Sequence, residues 1–300
     1  MSPTLVRHQL PASASLPGGG LPGGGLPGGL PGEGLPDPVG PRARARDWAE
    51  IQERMLVPLY EAAYDRLGIG AGTRLLGLGC GAGLALLLAA ARGAQVSGVD
   101  EDESRLELAR ERLSPEGGPQ AATLVSGAPP AASGRAPFNV ITAFHPSGCV
   151  STAEGLTASL AAAASLAERG SAVVLGGWGP VERCATAGVL RVARRLADPP
   201  GCDVGTTGWR PSGRDDLEDL ADRAGLVIDG SGRVACPFGY ADPASAVRGL
   251  LSTGVFDAAL EVTERRQVEK ELGEALHPYQ RADGTVWMPN VFRYLIARTR

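Results

Sequence analysis

The chain has 300 residues, 43% of them hydrophobic and 21% charged, with a formal net charge of −4 at pH 7. That length supports a sizeable core, in one large domain or two small ones. The mildly acidic balance and scattered arginines exclude the basic face that would neutralise a nucleic-acid backbone.

The longest apolar run, Leu84 to Ala91, falls far short of the roughly 20 residues that cross a bilayer. No apolar stretch follows Arg7 and His8, which argues against a secretory signal. Cys80, Cys149, Cys184, Cys202 and Cys236 are odd in number and lack the paired spacings of zinc sites. The sequence therefore predicts a soluble, cytoplasmic protein with reduced thiols, no metal, and neither nucleic acid nor membrane as partner.

In chain order, residues 16–36 repeat a Leu-Pro-Gly unit. Glycine loses much entropy on ordering and proline lacks a backbone donor, so residues 1–43 are predicted to be a disordered tail. It serves either as a flexible extension or as a segment docking on a partner through its spaced leucines. The folded domain is expected over residues 44–300. It opens with a helix capped by Asp47, in which Ile51, Met55, Leu59, Ala63 and Leu67 share a face and Pro58 introduces a kink. Arg42, Arg44 and Arg46 read as a solvated linker, the alternative being contact with an acidic partner.

Strands and helices then alternate. Strands are predicted at Arg74–Leu78, Gln95–Asp100, Thr123–Ser126, Phe138–Phe144 and Ala172–Gly176. Helices are predicted at Ala82–Arg92, at Glu101–Leu113 with Arg105 and Arg112 facing outward, and at Ala153–Glu168. This rhythm demands right-handed crossovers and a mostly parallel sheet, an α/β class with ligands at the carboxyl ends of the strands. Beyond it come a helix at Asp215–Ala224, a strand at Leu226–Cys236, helices at Pro243–Leu251 and Phe256–Leu276, and a last strand at Val291–Ala297.

The stretch LLGLGCGAG, Leu75 to Gly83, carries glycines at 79, 81 and 83 directly after a strand. A dinucleotide loop requires Gly-x-Gly-x-x-Gly, and the early third glycine argues against NAD. The spacing still lets a backbone pass beneath a ligand, and Asp100 ends the next strand, where one carboxylate can accept both hydroxyls of a ribose. A nucleoside without a pyrophosphate is the expected ligand. The alternative makes the glycines a tight turn and Asp100 a helix cap.

Together, RLLGLGCGAG, VSGVDED, FNVITAFHP and GSAVVLGGWGPVERC resemble the class I S-adenosylmethionine-dependent methyltransferases, over a span from Trp48 to the carboxyl terminus. The closing RADGTVWMPNVFRYLIART is similar to the antiparallel seventh strand of actinobacterial small-molecule members. The resemblance implies a Rossmann-like, seven-stranded sheet with helices on both faces and S-adenosyl-L-methionine as cofactor. It places Gly79, Cys80, Gly81 and Gly83 against the methionine half, Asp100 on the ribose and Glu101, or else Asp102, beside the adenosine. The chain departs from the pattern at Gly77, Ala128 and Asn139, where members usually carry acids. Each hydrogen bond lost to a charged group is worth about 1.5–3 kcal/mol, so a looser grip is expected.

Methyl transfer mostly requires positioning and desolvation of the acceptor, plus a base when the acceptor arrives protonated. Of the three histidines, only His145 follows a strand end, so it is the candidate base, or else a structural turn residue. Trp178, Trp209 and Tyr240 are candidate walls of the acceptor pocket, or else packing residues. The expected activity is methylation of a small-molecule or peptide-derived metabolite. Two rivals stand beside it: a cyclase or hydroxylase of the same fold, and a binding protein with a degenerate cofactor pocket.

Overall fold

A computed structural model describes residues 40–113, 122–127, 136–144, 153–197, 213 and 215–300. The predicted tail to residue 39, Ala128, His145 and Trp209 lie outside them. Strands form at β1 Arg74–Leu78, β2 Gln95–Asp100, β3 Thr123–Ser126, β4 Phe138–Phe144, β5 Ala167–Trp178, β6 Val227–Ala235, β7 Phe238–Tyr240, β8 Val286–Met288 and β9 Val291–Arg298. Seven of them make one sheet in the order β3-β2-β1-β4-β5-β9-β6, and β7 and β8 pair separately. The β1, β2, β3, β4 and β5 pairings are parallel, while β9 runs antiparallel to both β5 and β6.

The central strands read as near-continuous apolar runs because both their faces are covered. Leu76, Ile141, Val173 and Leu175 belong to the core on one face, while Leu75, Val140 and Val174 belong to the larger core on the other.

The amino-terminal segment departs from the single kinked helix expected. It runs as α1 Pro41–Asp47, a π-helical turn Trp48–Gln52, a 3₁₀ turn Glu53–Leu56, and α2 Val57–Leu67. Pro41 starts α1, where its fixed φ suits a first turn. Asp47 caps nothing and instead pairs with Arg248 at 3.1 Å. Pro58 lies in the first turn of α2, where its missing N–H breaks no helical hydrogen bond. Arg44 is tied to Asp257 at 2.7 Å and helps dock α1, while Arg42 reaches Glu107 at 3.3 Å but stays exposed, and α1 is helix where a linker was expected.

The remaining helices are α3 Leu84–Ala91, α4 Glu103–Leu113, α5 Ala153–Ser165, α6 Thr186–Ala197, α7 Asp216–Arg223, α8 Pro243–Leu251, α9 Asp257–Val262 and α10 Arg265–Leu276. α4 begins two residues later than predicted because the Asp102 carboxylate accepts the N–H groups of Ser104 (3.0 Å) and Arg105 (3.2 Å). The long helix predicted at Phe256–Leu276 breaks where Thr263 turns extended, at φ −129° and ψ 139°.

Two further glycines shape the sheet beneath α3. A Cβ at Gly77 would meet Leu86 Cδ2 at 2.9 Å, and one at Gly98 would meet Leu86 Cδ1 at 2.6 Å and Cys80 Sγ at 2.8 Å. Leu86, 1% exposed, thus seats its side chain in a notch that only glycines leave open. Gly98→Ala is expected to overpack this notch and lower unfolding stability by about 1–3 kcal/mol. Urea unfolding measures it, and a wild-type midpoint at unchanged slope contradicts the notch.

Candidate functional site

Between β1 and α3 the chain makes three left-handed glycines in five residues: Gly79 (φ 60°), Gly81 (φ 57°) and Gly83 (φ 82°). A side chain at any of them would be strained. The loop is pinned by the Cys80 N–H on the Val99 carbonyl at 2.9 Å and the Gly83 N–H on the Cys80 carbonyl at 3.0 Å. Burial, then the nearby Asp100 and Glu53 charges, push the Cys80 thiol far above its ordinary range. At neutral pH it is an inert neutral group.

Asp100 ends β2, 4% exposed, facing the loop. Its Oδ2 accepts the Gly81 N–H at 2.7 Å and its Oδ1 accepts the Asp102 N–H at 2.9 Å. The carboxylate therefore positions the loop first of all, with lone pairs left over. Glu101 beside it is exposed.

The groups that crowd the glycines belong to the chain itself. A Cβ at Gly83 would lie 2.9 Å from Ala109 Cβ, so Gly83 admits α4. A Cβ at Gly81 would lie 2.9 Å from Trp48 Nε1 and 3.1 Å from Glu53 Oε1, so Gly81 admits the amino-terminal segment.

Glu53 is 2% exposed. Its Oε1 accepts the Leu84 N–H, at the start of α3, at 3.3 Å, and its Oε2 accepts from Arg112 at 2.6 Å. Arg112 also donates to the carbonyls of Ala82 (2.9 Å) and Ala49 (2.8 Å). Gly83, the residue before α3, has no side chain to cap it, so Glu53 supplies that cap from a distant element.

Trp48 is 6% exposed and lies under the Arg105 guanidinium, 4.6 Å from the ring centre. Its indole N–H is buried without a hydrogen-bond partner. Arg105 itself is 5% exposed and donates to the Ser252 carbonyl at 2.7 Å. Arg105 and Arg112 thus turn inward, against the expectation of an outer face, because each finds a buried acceptor.

The space left against the loop is a cavity of about 20 Å³, lined in part by Trp48, Glu53, Tyr60, Gly79, Gly81 and Phe144. That is room for about one water. The loop and Asp100 suit an adenosyl ligand in kind, and among the described residues Trp48 and Glu53 take up the space beside Gly81.

Of the expected acceptor-pocket residues, Trp178 ends β5, 7% exposed, with its ring 4.4 Å from Phe292 and 5.7 Å from Phe238. Its indole N–H also has no partner. Tyr240 is buried in β7 and donates its hydroxyl to Gln52 Oε1 at 2.9 Å, beside Glu53. Asn139, where an acid was expected, sits at the opposite, amino end of β4. There its Oδ1 accepts the Arg74 N–H at 2.8 Å and its Nδ2 donates to the Gly72 carbonyl at 3.0 Å.

Sequence reasoning missed Trp48, Glu53 and Arg112 as site residues. In an α-helix, residues five apart point about 140° away from each other. The π-turn, closed by the Glu53 N–H on the Trp48 carbonyl, swings Trp48 and Glu53 to one side. A tryptophan and a glutamate just upstream of a glycine loop were the available signal.

Residues 75–170 match the family model described as "Methyltransferase domain". The match covers about a third of the chain, from β1 into β5, and takes in the glycine loop and Asp100. No curated protein matches the chain. Among solved structures, the YcgJ protein of Bacillus subtilis is 18% identical, with a TM-score of 0.50, over 83% of this chain and 99% of that one. Geranyl diphosphate C-methyltransferase from Streptomyces coelicolor is 13% identical, with a TM-score of 0.46, over 88% and 86%. The cyclopropane synthase MmaA2 of Mycobacterium tuberculosis is 14% identical, with a TM-score of 0.49, over 81% and 84%. At 18% identity the likeness to the YcgJ protein is one of fold.

Burial, offset in part by Arg112, raises the Glu53 carboxyl from 4.5 to about 6. Between these values the folded state binds more protons than the unfolded state, so this group's contribution to stability falls as pH rises through that window. The loss amounts to about 2 kcal/mol. Glu53→Gln is expected to abolish this fall. Denaturant unfolding of both proteins at pH 4.5 and 7 measures it, and an equal pH response in the two would contradict the burial argument.

Proposed function

We propose that this chain transfers a methyl group from S-adenosylmethionine to a small-molecule or peptide-derived acceptor in the cytoplasm. The observation that carries this reading is the buried carboxylate of Asp100 at the end of β2, hydrogen-bonded to the middle glycine of a three-glycine loop, inside the matched methyltransferase domain. When bound, the cofactor supplies a methyl already activated by a sulfonium.

The chain's task is to hold and to desolvate. In this reading Gly79, Cys80 and Gly81 offer bare backbone to the methionine half. Asp100 uses its free lone pairs on the ribose hydroxyls, and Glu101 flanks the base. His145 is assigned the removal of an acceptor proton, with Trp178, Trp209 and Tyr240 as the walls of the acceptor pocket.

The filled crevice favours a second reading. With Leu86 in the place of an acid at position 77 and a cavity of about 20 Å³, a binding protein that no longer turns over is the alternative.

Calorimetric titration with S-adenosylhomocysteine separates the two: saturable binding supports the enzyme, and no heat at millimolar ligand supports the binding protein. Asp100→Asn is expected to weaken that binding by about tenfold or more, the worth of one hydrogen bond from a charged group. Unchanged affinity would remove Asp100 from the site. A methyl-labelled donor offered with host metabolites, read by mass spectrometry, identifies the acceptor.

A further inference from the structure

The donors around Glu53 form an arrangement suited to any carboxylate. The Leu84 N–H opens an eight-residue helix, the end of a helix at which anions are stabilised. Arg112 adds a full positive charge from α4. Its bond to the Ala82 carbonyl at 2.9 Å keeps it aimed at the loop independently of the amino-terminal segment.

A second, independent feature points to a ligand. The Trp48 indole N–H, more than nine-tenths buried, has no acceptor, and its nitrogen lies 2.9 Å from where a Cβ on Gly81 would sit. An orphaned donor of this kind is costly, and a polar ligand atom would satisfy it.

Both side chains ride on the π and 3₁₀ turns at Trp48–Leu56, irregular helix of the sort that clusters at functional sites and hinges. The turns run into α2 at Val57.

We propose that the Glu53 carboxylate is an internal stand-in for a ligand carboxylate: it occupies the subsite formed by the Leu84 N–H and Arg112, and a nucleoside bearing an amino-acid tail must displace it to bind. This rests on the reading of the crevice as a nucleoside site and adds to it a self-blocking contact. Glu53 and the ligand carboxylate compete for the same donors, so removing the Glu53 charge favours the ligand. The opposite arrangement, Glu53 gripping the ligand's ammonium, demands the opposite sign.

The test uses the full chain, Glu53→Gln, Glu53→Ala and Arg112→Gln. Affinities for S-adenosylhomocysteine and for 5′-methylthioadenosine, which keeps the nucleoside and sulfur but lacks the amino-acid tail, are measured by calorimetry. Glu53→Gln is expected to tighten S-adenosylhomocysteine roughly tenfold, as when a mostly closed site becomes mostly open, and to leave 5′-methylthioadenosine unchanged. Arg112→Gln is expected to weaken S-adenosylhomocysteine alone. Weaker S-adenosylhomocysteine binding in Glu53→Gln, or equal tightening of both compounds, overturns the proposal.

A further arm requires no nucleoside. Acetate is expected to raise the melting temperature of Glu53→Ala and not that of the wild type. Absence of that rise overturns the carboxylate subsite. An acetate response with no nucleoside binding to any variant supports the subsite and refutes only the nucleoside reading.

Discussion

One buried carboxylate joins the parts of this protein that matter for function. Glu53 leaves the amino-terminal segment, caps α3 through the Leu84 N–H, and meets Arg112 from α4. Three elements converge on it, and each would lose a hydrogen-bond partner without it. Its burial raises the cost of the charge and thereby the cost of leaving the charge unpaired. The segment that carries it is thus held closely over the glycine loop, yet by an interaction whose net worth is small. A contact of that kind can keep a crevice shut and still yield to a better-matched anion.

The parallel half of the fold was legible because its signals are local. β1, β2, β3 and β4 end where the sequence predicts, since each is a short apolar run bounded by glycine or polar residues. The antiparallel position of β9 followed from the resemblance. α6, which places Val189, Leu190, Val192 and Ala193 in the core, was not among the predicted helices. The β7 and β8 pair has three residues per strand, too few for any periodicity to register, and its partners are far apart in sequence.

At the site, legibility divided along the same line. The glycine loop and Asp100 lie within one βαβ unit and could be read together. Trp48 and Glu53 could not, because their juxtaposition depends on a π-turn, and an α-helical reading puts them on different faces. Arg105 and Arg112 were misassigned for a related reason. Helical spacing tells which residues share a face of α4, but whether that face meets water depends on α1 and α8 arriving from elsewhere in the chain.

The missing acid at Gly77 and the closed crevice are connected through Leu86. A carboxylate at 77 would need the space that the Leu86 side chain holds between Gly77 and Gly98, and placing it there would bury a charge against a leucine. With an apolar group in that notch, the sheet itself offers the loop no negative charge except Asp100, whose two oxygens already accept backbone N–H groups. The next carboxylate at the loop is Glu53, supplied by the segment that closes over it. The negative charge nearest the glycines, Asp100 aside, therefore sits on the amino-terminal segment and not on a strand, and under the self-blocking contact proposed above a ligand's charged groups would be matched against Glu53.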